Sequence, residues 1–139
     1  MNPRGNSMKQ QGFSLLELMI VVAITAILAT VAYASYRDQV IKSRRSAGAA
    51  CLQERAQFLE RYYTTNLTYE GAEDVLGECD ADVRRFYEIG EVGAFGAKDY
   101  TIQAAPIAET QEDAKCGTLT LNSRGQKSVS GTASVAECW

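Results

Sequence analysis

The sequence predicts an α+β fold: a long N-terminal helix, apolar in its first half and amphipathic in its second, packed on a small antiparallel sheet of three or four strands. Three observations carry that prediction. An uncharged apolar run fills Leu18 to Ala34. An apolar stripe at helical spacing continues beyond it to Tyr63 without a proline. Short β-prone segments separated by turn residues then fill the chain after Arg85.

The apolar run holds 17 residues, about 26 Å of helix at roughly 1.5 Å per residue. That length approaches a hydrocarbon core of about 30 Å, so residues 13–35 read as a membrane-spanning or similarly buried helix. A polar leader, MNPRGNSMKQQG, precedes it as residues 1–12, with Arg4 and Lys9 as its cations. Residues 36–139 form the remainder, a globular domain that includes the amphipathic half of the helix. Glu17 stands at the apolar edge. A carboxylate at membrane depth costs roughly 2.5–3.5 kcal/mol and usually has a function, although a helix start also favours a negative charge through the macrodipole. An ordinary secretory signal would place its small-residue cleavage site after the run. Ala32-Tyr33-Ala34 fits that loosely, but a glutamate entering the run argues against it.

Ile41, Gly48, Leu52, Ala56, Leu59 and Tyr63 recur at steps of three, four or seven and make one stripe. Arg44, Arg45, Glu54, Arg55, Glu60 and Arg61 are assigned to the polar remainder. A soluble coiled coil would need a charge regularity that is missing here. The expected helix therefore runs from Phe13 to about Thr64. Turn formers in Thr64-Thr65-Asn66-Leu67-Thr68 and Gly71 end it, and the nearby tyrosines are expected to cap the core. A short helical turn is expected at Ala72 to Leu76.

Expected strands are Arg85–Ile89, Tyr100–Ala105, Gly117–Leu121 and Gln126–Val129. Gly90 to Gly96 connects the first two, Ala108 to Lys115 is a polar, acidic loop, and Asn122-Ser123-Arg124-Gly125 is a hairpin turn.

Composition narrows the chemistry. The chain of 139 residues has no histidine, which removes Ser-His and Cys-His catalysis. Its cysteines, Cys51, Cys79, Cys116 and Cys138, lack the close pairing of a zinc site and suit two disulfides in an exported chain. Three pairings are open at this level. No metal, cofactor or enzymatic activity is expected. The net charge of −3 becomes more negative by two if the leader is lost, so nucleic-acid binding would need a local basic patch.

Gly12-Phe13-Ser14-Leu15-Leu16-Glu17 resembles the processing signal of type IV pilins. Glu60-Arg61-Tyr62-Tyr63-Thr64-Thr65-Asn66, Tyr100-Thr101-Ile102, Cys116-Gly117-Thr118-Leu119-Thr120-Leu121 and Cys138-Trp139 are similar to a minor-pilin branch that includes the competence DNA receptor. The resemblance implies a pilin-like fold and cleavage between Gly12 and Phe13 by a prepilin peptidase. It further implies N-methylation of Phe13 and an assembly function for Glu17. It favours Cys116–Cys138, closing a C-terminal loop, and with it Cys51–Cys79, pinning the loop after the helix. Each closure is worth roughly 3–4 kcal/mol on a chain-entropy argument. Ala26 and Ala34 stand where many pilins have glycine or proline, so local melting of this helix is harder.

The implied partners are other pilin subunits, the peptidase and the inner-membrane assembly machinery. The implied location is the inner membrane, single-pass with a periplasmic C-terminal domain, and then the extracellular filament. Arg37, Lys42, Arg44 and Arg45 after the run outnumber Arg4 and Lys9 before it, against the positive-inside tendency. The cysteines and the peptidase's position decide for a periplasmic domain. The resulting function is a structural minor pilus subunit supporting pilus biogenesis, motility, adhesion or DNA uptake. A DNA-binding competence pilin, with a patch at Lys115, Arg124 and Lys127, and a type II secretion pseudopilin are the alternatives.

Overall fold

The computed structural model describes residues 12–139; residues 1–11 of the expected leader lie outside the described residues. The chain divides into two compact units after Arg37. Helix α1, Leu15–Asn66, contributes to both.

In the first unit, residues 12–37, α1 is exposed along its whole length. Phe13, Leu16, Met19, Val22, Ile27, Leu28, Val31 and Tyr33 are each more than three-fifths accessible.

The second unit, Asp38–Trp139, holds the core. After α1 come α2 (Ala81–Arg84), β1 (Tyr87–Glu91), β2 (Thr101–Pro106), β3 (Leu119–Asn122), β4 (Lys127–Val129) and α3 (Val135–Cys138). The four strands form one antiparallel meander in sequence order. Alternation sets its inner face: Ile102 pairs with Leu121 and Ala104 with Leu119, and all four are buried. Ala49, Leu52 and Leu59 of α1 join the same core. Gly48 makes room for Tyr87, because a β-carbon there would meet the ring at 3.4 Å. The expected stripe is therefore the packing face of α1.

α1 runs two residues further than expected and stops at Leu67, a left-handed residue with φ 57°. The Leu67 N–H still donates to the Tyr63 carbonyl at 2.8 Å, closing the last turn. Residues 73–75 form only a turn in place of the expected helical turn, and the short helix of this region is α2. β1 is shifted by two residues toward Gly90 and Glu91, which pair with Gln103 and Ile102. The β3–β4 turn is as expected: Gly125 adopts φ 72° and donates to the Asn122 carbonyl.

The disulfides join Cys51 to Cys79, Cα atoms 5.9 Å apart, and Cys116 to Cys138, 5.7 Å apart. The first fastens the loop after α1 to that helix. The second fastens the C-terminal segment to the loop between β2 and β3.

At the far end of α1, tyrosines close the core. Tyr63 stacks on Tyr69 at 4.6 Å, and Tyr69 meets Tyr100 edge-on at 4.8 Å. Both the Tyr69 and Tyr100 hydroxyls donate to the same Glu60 oxygen, at 3.0 and 3.2 Å. Burial, with the Glu60 charge beside it, pushes the Tyr69 phenol up to about 12 and holds that of Tyr100 above its ordinary value.

The expected polar face of α1 also fails at one position. Arg45 does not belong to the polar face: it is buried, and its Nη1 bonds both Asp113 carboxylate oxygens at 2.9 Å. Tyr87 donates to Asp113 at 3.2 Å, and the Gln111 amide donates to Tyr87 and to the Ile41 carbonyl. Arg44 lies over the Phe86 ring at 3.8 Å and is half buried. The polar, acidic loop is thus clamped to α1 by Asp113 and Gln111, because a buried guanidinium needs a paired, hydrogen-bonded carboxylate.

Candidate functional site

In the first unit, helix geometry and apolar chemistry make a surface for association. An 18-residue stretch of α1 with mean hydropathy 2.5 has none of its residues buried. So large an exposed apolar surface marks contact with lipid or protein. Its threonine hydroxyls are already satisfied: Thr25 donates to the Val21 carbonyl at 2.9 Å and Thr30 to that of Ile27 at 2.7 Å. Such self-pairing suits surroundings without water. Glu17 lies in the first turn and is the only charged residue from Gly12 to Tyr36. Phe13, four residues before it, is three-quarters exposed. The chain offers this carboxylate no cation within that stretch, which leaves pairing to another group.

In the second unit, cations gather around the C-terminal segment. A cleft of about 590 Å³ is lined by Lys42, Arg45 and Ser46 of α1, by Lys115 and Cys116, and by Ala133 to Trp139 in part. Lys127 approaches the Trp139 ring at 4.8 Å, and the Trp139 indole N–H donates to the Ser128 carbonyl. Glu137 accepts from the Ser134 hydroxyl and backbone N–H at 2.8 and 3.0 Å. Those bonds hold its carboxyl below the ordinary range and keep it ionised, with Lys115 assisting.

Of the expected basic patch, Lys127 lies over the Trp139 ring and Lys115 lines the same cleft as Trp139. Arg124 sits apart from that ring, in the β3–β4 turn. Arg84 and Arg85 are occupied differently, Arg84 by Glu78 at 2.9 Å and Arg85 near Phe86. Among the described residues no histidine, cysteine, aspartate and glutamate group could hold a metal ion. Sequence reasoning did not foresee Arg45 and Asp113. The signal was there: Arg45 stands four residues after Ile41 and three before Gly48, on the stripe itself. A charge in that position asks for a buried partner.

Comparison with known proteins places this architecture. Residues 34–120 match a family described as type IV minor pilin ComP, DNA uptake sequence receptor. The chain belongs to this minor pilin family. Residues 7–33 of the minor pilin also match a prokaryotic N-terminal methylation motif. Fimbrial protein Q of Moraxella bovis is 29% identical over 124 residues, covering 88% of this chain and 75% of that protein. A fimbrial protein of Neisseria meningitidis serogroup B is 36% identical over 62 residues, 45% of this chain and only 36% of that protein. The fold is similar to the crystal structure of the N. meningitidis non-core minor pilin PilV. That similarity has TM-score 0.55 and 25% identity, over 69% of this chain and 92% of that one. The minor pilin is a structural subunit that assembles with other pilins, anchored through an apolar N-terminal helix.

Proposed function

We propose that this minor pilin is cut between Gly12 and Phe13 by a prepilin peptidase and methylated on the new Phe13 nitrogen. The Glu17 carboxylate then registers it in the filament by pairing with the Phe13 ammonium of a neighbouring subunit. The carrying observation is Glu17 as the only charged residue between Gly12 and Tyr36, in the apolar, exposed first half of α1. A carboxylate transferred from water into lipid or protein needs a cation, and an unpaired one is far more costly than a paired one. Before assembly the chain is a single-pass inner-membrane protein with residues 38–139 in the periplasm. There both disulfides are compatible with the redox environment. The work is done by packing and charge pairing, without chemical turnover. Replacing Glu17 by Ala should leave the chain in the membrane and reduce its recovery in sheared pili by at least about ten-fold, the effect of roughly 1.4 kcal/mol. Unchanged recovery would contradict the reading.

A second reading, that the subunit takes part in DNA uptake as a receptor, is favoured by Lys127 over the Trp139 ring and by Lys115 in the cleft that Trp139 also lines. The description of the matched family agrees with it. Two cations beside an aromatic face suit a phosphate backbone. A gel shift with the full chain should weaken with added salt, and Lys115→Ala or Lys127→Ala should each lower the salt slope by about 1. Absence of a shift even at low salt would remove this reading.

A further inference from the structure

We propose that the cleft between α1, Lys115 and the C-terminal segment binds the glycerol-phosphate headgroup of an anionic phospholipid while the chain is still in the membrane. The inference rests on the membrane reading above. The cleft is half polar and half apolar in its walls, and its volume of about 590 Å³ suits a small ligand. Lys42 and Ser46 stand one helical turn apart on one wall and Lys115 stands on another. Ala133, Ala136 and the Trp139 indole supply the apolar side. The charge balance favours an anion. Among the described residues Lys42 makes no ion pair. Arg45 is spent on Asp113. Glu137, the one side-chain carboxylate on the wall, is turned to Ser134 and interacts with Lys115.

Position along the chain selects the source of the phosphate. Lys42 follows the last residue of the apolar run by eight positions. Cations so close to a bilayer surface contribute to binding anionic lipid, and tryptophan favours the interface. The excess of cations beyond the apolar run opposes the usual charge asymmetry across the membrane. An anionic headgroup seated between Lys42 and Lys115 brings one negative charge to two cations on that side of the membrane.

The test uses the full chain in neutral detergent, with native mass spectrometry counting retained lipids. Quenching of Trp139, the only tryptophan, by brominated lipid reports their place. Phosphatidylglycerol should be retained over phosphatidylcholine and should quench Trp139. Lys42→Gln and Lys115→Gln should each weaken that retention about five-fold, and the exposed Lys98→Gln should not. Equal retention of the two lipids, or lysine variants indistinguishable from Lys98→Gln, would overturn the proposal. So would displacement of brominated phosphatidylglycerol by free glycerol 3-phosphate as effective as displacement by unlabelled lipid, or by a short DNA duplex at lower concentration than unlabelled lipid needs. Recovery of the same variants in pili separates this inference from the assembly reading. The lysine variants should still assemble where Glu17→Ala does not.

Discussion

Arg45 shows what one residue contributes when a charge is taken out of water. Its partner Asp113 is 2% exposed, so removing the guanidinium leaves a carboxylate with only Tyr87 and the Cys116 N–H to donate to it. Breaking a buried pair from one side costs about 3–5 kcal/mol, whereas replacing both partners by apolar residues costs much less. Arg45→Ala should therefore lower the unfolding free energy by that amount in a urea titration. Arg45→Met combined with Asp113→Leu should recover most of it. Equal losses in the two variants would mean that the pair is not what holds the loop. At this scale the sequence was legible where chemistry is local, at Gly125, and where helical spacing shows, at Gly48. It was misleading at Arg45, whose partner lies 68 residues away.

Among the elements, the last turns of α1 depend on protonated phenols. Glu60 accepts from Tyr69 and Tyr100 only while both keep their protons. Their folded-state values lie above the ordinary tyrosine value, so the folded state binds protons that the unfolded chain has already released. The sign is then fixed: their contribution is complete below the ordinary value near 10 and is lost as pH rises through about 12. A pH series of thermal unfolding should show Tm falling above pH about 10, with the tyrosinate absorbance lost in Tyr69→Phe and Tyr100→Phe variants being the part that appears together with unfolding. A Tm independent of pH across that interval would contradict it. Periodicity made α1 and the inner faces of β2 and β3 readable, because each is long enough for the 3.6- or 2-residue repeat to show. α2 and α3, at four residues each, carry no such repeat. β1 was misplaced because glycine and glutamate at its end are poor strand formers that pairing with β2 nonetheless recruits.

In the whole molecule, two units with opposite surfaces follow from one helix. Its first half exposes apolar side chains and a single acid; its second half buries an apolar stripe under a four-stranded sheet. That division was legible in advance because it rests on hydropathy and helical spacing. The disulfide pairing came only from resemblance, since four cysteines alone leave it open. The basic C-terminal cleft was half visible: Lys115 and Lys127 could be named, but the approach of Lys42 and Trp139 to Lys115 is set by tertiary packing. The account as a whole depends on a free, methylated amine at Phe13 that Glu17 of a neighbour can pair with. The most direct measurement is the mass of the N-terminal peptide of the chain recovered from pili. The account predicts a peptide beginning at N-methylated Phe13; one beginning elsewhere, or retaining Gly12, would contradict it.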